Sequence, residues 1–102
     1  MVKVLIKRYV RARDSSRLLG LLLDLRAAAL HQPGYVSGET VMRGDDPVEV
    51  LTIGEWLTED HWKAWSTSEQ RHGLGDMVTP LLVGEAETAV YNIPHDVPLE
   101  EG

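Results

Sequence analysis

The sequence predicts an α+β fold of the split β-α-β, ferredoxin-like kind, its strands and helices following the order β-α-β-β-α-β, with the helices on one face of an antiparallel sheet. Three observations carry that reading. An alternating apolar segment opens the chain, a leucine-rich helical run follows it, and two further alternating segments, joined by Gly44-Asp45-Asp46-Pro47, lead into a helix rich in tryptophan. At 102 residues the chain is expected to form one domain, 1–102, with a single core and a high ratio of surface to volume.

Taken in order, Met1 to Val10 places Val2, Val4, Ile6 and Val10 on one side and Lys3, Leu5, Lys7 and Tyr9 on the other, as in a strand with one buried face. Asp14, Ser15 and Ser16 offer N-caps for the first helix. Six leucines between Leu18 and Leu25 leave only a narrow polar stripe of Arg17, Gly20, Asp24 and His31, so this helix is expected to be almost wholly covered. Pro33-Gly34 ends it, and Tyr35 to Arg43 is extended, with Gly38 marking a bulge or a close backbone approach. After the hairpin connection Val48, Val50 and Thr52 alternate with Glu49, Leu51 and Ile53 into Trp56, so strands two and three pair antiparallel.

Thr58 is a good N-cap, Glu59 and Asp60 suit the positive end of a helix, and Glu59 with Lys63 makes a favourable i,i+4 pair. A second helix is therefore predicted from about Glu59 to Arg71, stopped at Gly73. Gly75 to Leu82 is loosely patterned, with room for one turn, and a last strand runs from about Glu85 to Ile93. Pro94 and Pro98 keep the acidic tail, 94–102, extended. Helices on a single face leave the other face of the sheet uncovered, and a symmetric dimer with its two sheets face to face would bury both, with the tail free to reach across.

Composition narrows the partners. A formal charge of -6, with no basic cluster beyond Lys7, Arg8, Arg11 and Arg13, makes nucleic acid and anionic membrane poor partners. Without cysteine there is no disulfide, thiolate nucleophile, iron–sulfur cluster or Cys-type zinc site, which suits a reducing, cytoplasmic setting. Residues 1 to 10 lack the order of a signal peptide, and the run Leu18 to Leu30, interrupted by Asp24 and Arg26, is shorter than the ~20 residues of a bilayer span.

The most informative stretch is Trp56 to Arg71, which gathers all three tryptophans of a chain with only six aromatic residues. At 100° per residue on one continuous helix, His61, Trp65, Ser68 and His72 form a stripe with Trp62 beside it, while Lys63, Thr67, Gln70 and Arg71 lie opposite. Indole mixed with imidazole and hydroxyl reads as the wall of a ligand pocket. It reads equally as tryptophan core anchors with both histidines at the solvent rim. His61 and His72 are eleven residues apart, too far to share an ion, and no carboxylate is paired with either at i,i+4 on the stripe, so no metal site is expected.

Three segments, Gly34-Tyr35-Val36-Ser37-Gly38 after the first helix, the third strand running into Glu55-Trp56, and Trp62-Lys63-Ala64-Trp65-Ser66-Thr67-Ser68 on the second helix, form a pattern on which the chain resembles the antibiotic biosynthesis monooxygenase family of dimeric α/β-barrel proteins. The likeness covers nearly the whole chain in element order and is specific in sequence from Trp56 to Arg71. It implies a small homodimer that, as in several members, oxygenates an electron-rich aromatic or quinol compound with no cofactor: no metal, flavin or haem. A haem-degrading branch resembles a first-strand asparagine, a second-helix tryptophan and a later histidine. Trp65 matches that tryptophan, but Lys7 stands near the asparagine's place and His72 falls about one turn early.

Under that resemblance a substrate that can itself reduce oxygen needs only to be deprotonated, oriented and kept from water. His72 and His61 are the candidate bases, since an unperturbed imidazole titrates at about 6.5. Trp65, Trp62 and Ser68 are the candidate substrate contacts from the helix, and Tyr35, Tyr91 and Asn92 from the strands. The competing expectation is a non-catalytic dimer that binds a hydrophobic metabolite or serves a structural role.

Overall fold

The computed structural model describes residues 1–94, and the acidic tail beyond Pro94, expected to be extended, lies outside them. The four strands β1 (Val2–Val10), β2 (Tyr35–Arg43), β3 (Val48–Trp56) and β4 (Glu87–Asn92) form one sheet in the order β2-β3-β1-β4, every neighbouring pair antiparallel. This is the arrangement expected from the order of elements. In β1 burial alternates without a break: Val2, Val4, Ile6, Arg8 and Val10 are buried against the helices, and Lys3, Leu5, Lys7 and Tyr9 lie half-exposed on the other face. Register carries the alternation across the sheet, because residues directly opposite in an antiparallel pair share a face. Trp56, Gly54, Thr52, Val50 and Val48 of β3 stand beside the buried set of β1.

Helix α1 (Ser15–Ala29) packs Leu18, Leu22 and Ala29 into the core. The expectation of an almost wholly covered helix does not hold: Leu23 is 65% exposed and Leu30 58%. A helix lying on one side of a sheet can bury only about one stripe, so Leu23 and Leu30, outside the i, i+4, i+7 row, face solvent while Leu19 and Leu21 are half-buried at its edges. At its end Gly34 turns the chain with φ +83, and the ring of His61 occupies the space where a Cβ on Gly34 would stand.

The second helix departs most from expectation. Instead of one helix from Glu59 to Arg71 there are two, α2 (Glu59–Ser66) and α3 (Glu69–Val78). The break has a local cause. The hydroxyls of Ser66 and Thr67 both donate to the Lys63 carbonyl, at 2.9 and 2.8 Å, while Ser68 turns extended and its Oγ accepts the Arg71 backbone N–H at 3.2 Å. Three consecutive hydroxyl residues thus give the backbone better partners than a continued helix would. The new helix then runs through Gly73, which was expected to stop it, and through Gly75, and ends in a 3-10 turn at Thr79–Leu81. None of the helices among the described residues is long and apolar enough to cross a membrane.

Two buried clusters form the core. One gathers Val2, Val4, Ile6, Ala29 and the three tryptophans, and the other Val10, Leu18, Leu22, Val48, Val50 and Val78. On β1 the residue between them is Arg8, 6% exposed and the only buried charged side chain among the described residues.

Candidate functional site

A cavity of about 100 Å³, or about 600 Å³ with its open mouth, lies between the helices and the sheet where the two core clusters meet. Its floor is made by absence. Gly38 of β2 and Gly54 of β3 are directly paired on the helix face, so two facing positions carry no side chain. The hydroxyl of Tyr35 lies over Gly38, where a Cβ would meet it at 2.5 Å. The expectation of a close approach at Gly38 is met by this contact, and the bulge itself falls between Tyr35 and Ser37.

Aromatic rings build the walls. Tyr35 meets Trp56 edge-on, with ring centroids 5.2 Å apart and planes at 82°, and Trp56 lies 6.0 Å from Trp62. Trp62 and Trp65, on adjacent faces of α2, close the helix side with Leu22, Leu25 and Ala29 of α1. Thr58 fixes the start of α2 by accepting the His61 N–H at 3.2 Å.

Into this apolar enclosure the fold directs arginines. The Arg8 guanidinium donates through Nη1 to the Thr52 hydroxyl at 2.9 Å, and Thr52 in turn donates to the Ile6 carbonyl at 3.3 Å. Arg71, at the start of α3, sets its guanidinium carbon 5.2 Å from the centre of the Trp62 ring. Burial, together with the charge of Arg71, pulls the Arg8 pKa down to about 10, and burial also lowers that of Arg71. Arg26 of α1 and Thr40 of β2, both exposed, complete the polar lining, whereas Glu39, paired with Ile53, turns its carboxylate to the other face of the sheet. None of the ion pairs among the described residues engages any of these arginines or Glu39.

Of the residues singled out from sequence, Trp65, Trp62 and Tyr35 come together around the cavity. The others do not. His61 is half-buried over Gly34, its Nδ1 2.7 Å from the Thr58 hydroxyl, and is not part of the lining. His72 is exposed on α3 and also stands outside the lining. Ser68 spends its hydroxyl on the helix break, donating to the Trp65 carbonyl at 2.8 Å. Tyr91, 57% exposed, pairs with Lys3 and so stands on the opposite face of the sheet. Asn92 pairs with Val2 on the helix face but is exposed and outside the lining. The stripe that united His61, Trp65, Ser68 and His72 assumed one unbroken helix, and the break at Thr67 separates its members.

Arg8 and Arg71 were missed. The alternation of β1 held the signal for Arg8, which falls in the phase of Val2, Val4, Ile6 and Val10. Arg71 had been placed opposite the pocket, a position that only a continuous helix would give it. The haem-degrading pattern does not fit this site: Lys7 is on the sheet's far face with Leu5 and Tyr9, and His72 is outside the cavity. Among the described residues no cluster of three or more His, Asp and Glu side chains could hold a metal ion.

Comparison with known proteins agrees with this architecture. No curated protein matches the chain. Among solved structures, a conserved protein from Methanosarcina mazei Go1 is similar with a TM-score of 0.80 at 18% identity, covering 88% of this chain and 89% of its own. A Mycobacterium tuberculosis protein gives 0.80 at 16%, covering 95% and 98%. SnoaB, a cofactor-independent oxygenase from Streptomyces nogalater, gives 0.77 at 14%, covering 95% and 97%. At such identities these likenesses show the fold alone. The antibiotic biosynthesis monooxygenase profile matches residues 1–73, from the first strand through the tryptophan helix and the start of α3, and the chain belongs to that family.

Proposed function

We propose that this protein is a cytoplasmic, homodimeric, cofactor-independent monooxygenase that oxidises a small electron-rich aromatic or quinol-type compound in the cavity between α2 and the sheet. The observation that carries the reading is the enclosure itself, with Trp56, Trp62, Trp65 and Tyr35 standing around a floor vacated by Gly38 and Gly54. Flat indole walls accept a planar ring and keep water from it. In such a reaction the ionised substrate supplies the electrons: an activated ring CH2 and O2 give a ring carbonyl and water. Family membership supports monooxygenase chemistry, and the one structural neighbour described above as a cofactor-independent oxygenase supports doing it unaided.

The dimer would join the outer faces of two sheets. That face carries Leu5, Leu51, Ile53 and Val41 at its centre, with the Lys3–Glu55 and Arg43–Glu49 ion pairs towards its margins. A two-fold contact burying two such faces removes apolar surface that a lone chain leaves open.

One observation favours a second reading: no histidine among the described residues lines the cavity, so none of these imidazoles stands ready to take a proton from a guest. A non-catalytic dimer binding a hydrophobic metabolite accounts for that. Oxygen uptake with a panel of quinols and hydroxylated polycyclic aromatics separates the two. Turnover with any of them supports the enzyme, and binding to the whole panel without oxygen consumption supports the binding protein.

A further inference from the structure

We propose that the cavity takes its aromatic guest as an anion, seating an ionised oxygen, a carboxylate or a phenolate, against the guanidiniums of Arg8 and Arg71. The inference rests on the cavity being a ligand site and names the chemistry of the ligand. Arg8 is 6% exposed, and among the described residues its side chain has one partner, the Thr52 hydroxyl, for five N–H donors. No buried polar side-chain atom among the described residues lacks a partner, so the remaining donors of Arg8 are reached from the cavity it lines. Arg71 lines the same cavity, stacked on Trp62.

A buried cation without a counterion is costly, and a second one nearby raises the cost. Yet in a chain of net charge -6, three arginines line this cavity, none of the ion pairs among the described residues engages them, and Glu39, paired with Ile53, turns its carboxylate to the other face of the sheet. A guest oxyanion relieves that imbalance through charge-assisted hydrogen bonds, while its ring meets Trp62 and Trp65. Two guanidiniums beside a phenol or enol also lower its pKa, so a guest can bind already ionised in a cavity that no histidine among the described residues lines.

The test is titration of the purified full chain with 2-naphthoate and with 2-naphthamide, which match in shape and differ in charge. Calorimetry gives the affinities, and the Trp62 and Trp65 indole N–H signals in NMR locate the binding. The expected result is about tenfold tighter binding of the carboxylate, reduced by salt, with the preference lost in Arg8→Gln and in Arg71→Gln and partly kept in Arg8→Lys. Equal affinities for the two probes overturn the anion site while leaving the cavity as a ligand site. A preference unchanged in both glutamine variants overturns the assignment to these arginines. Binding of neither probe overturns this inference and the cavity reading together.

Discussion

The guanidinium of Arg71 rests 5.2 Å from the centre of the Trp62 ring, across the break that separates α3 from α2. On a continuous helix the two side chains, nine positions apart in sequence, would be set by that helix's rotation alone. The break at Thr67 lets α3 turn Arg71 back towards the tryptophans, where a cation over an indole face is stabilised by about 0.5–2 kcal/mol. The positive lining of the cavity thus depends on Ser68, whose hydroxyl both caps α3 and holds the Arg71 backbone.

Ser68→Ala is expected to lower folding stability by about 1 kcal/mol, as loss of an N-cap does, and to weaken anion binding at the cavity although the Ser68 hydroxyl does not line it. Urea unfolding and naphthoate titration check both parts. A stability loss with unchanged anion affinity would mean that Arg71 is held in place without the cap.

Arg8→Met is expected to fold more stably than the native chain by about 1 kcal/mol, because it replaces a buried charge that has no ionic partner among the described residues with an apolar side chain of similar length. Thr52 keeps its bond to the Ile6 carbonyl, so no hydroxyl is orphaned. The folded-state pKa of Arg8, about 10, lies below the ordinary guanidinium value. Its penalty is therefore present at every pH below about 10 and eases as pH rises through that value, where the folded state sheds a proton the unfolded chain still holds. Denaturant midpoints at neutral pH check the sign: a large loss of stability would show that Arg8 is structural.

His72→Ala is expected to leave turnover and affinity within about twofold of the native protein, since an exposed surface substitution away from the cavity changes little. Steady-state oxygen uptake measures it. A fall in kcat of a hundredfold or more, on the order of a lost general base, would bring His72 into the mechanism by a route the single chain does not reveal.

The Glu49 carboxyl is held below its ordinary pKa, chiefly by the hydrogen bond from Arg43 and also by that from Tyr9. The stabilisation is present above the ordinary carboxyl range and is lost as pH falls through the lowered value. Arg43→Gln should raise the Glu49 titration midpoint in carboxyl NMR. A midpoint that does not move would mean the pair does not persist in solution, as exposed pairs often do not.

How much of this was legible in the sequence follows from which forces are local. Alternation fixed β1 and β3 and the face each of their residues takes, the Pro33-Gly34 turn bounded β2, and capping at Thr58 placed the start of α2 to the residue. The tryptophans announced the aromatic lining, since Trp62 and Trp65 lie on the same side of an eight-residue helix whether or not it continues. The polar lining was not legible in the same way. It depended on three hydroxyl side chains ending α2 early, a competition between side-chain and backbone hydrogen bonds that helical periodicity does not register. The paired glycines of the floor were equally hidden, because Gly38 and Gly54 become neighbours only through the β2–β3 register.

The central claim, that the space bounded by Trp62, Trp65 and the Gly38–Gly54 floor receives an aromatic guest, is tested most directly by NMR titration with 2-naphthoate. The three indole N–H signals and the backbone amides of Leu51 and Tyr91 would be followed together. Saturable shifts of the Trp62 and Trp65 indoles, with Leu51 and Tyr91 unmoved, are predicted. Shifts confined to Leu51 and Tyr91 would place the guest on the open face of the sheet and contradict the account.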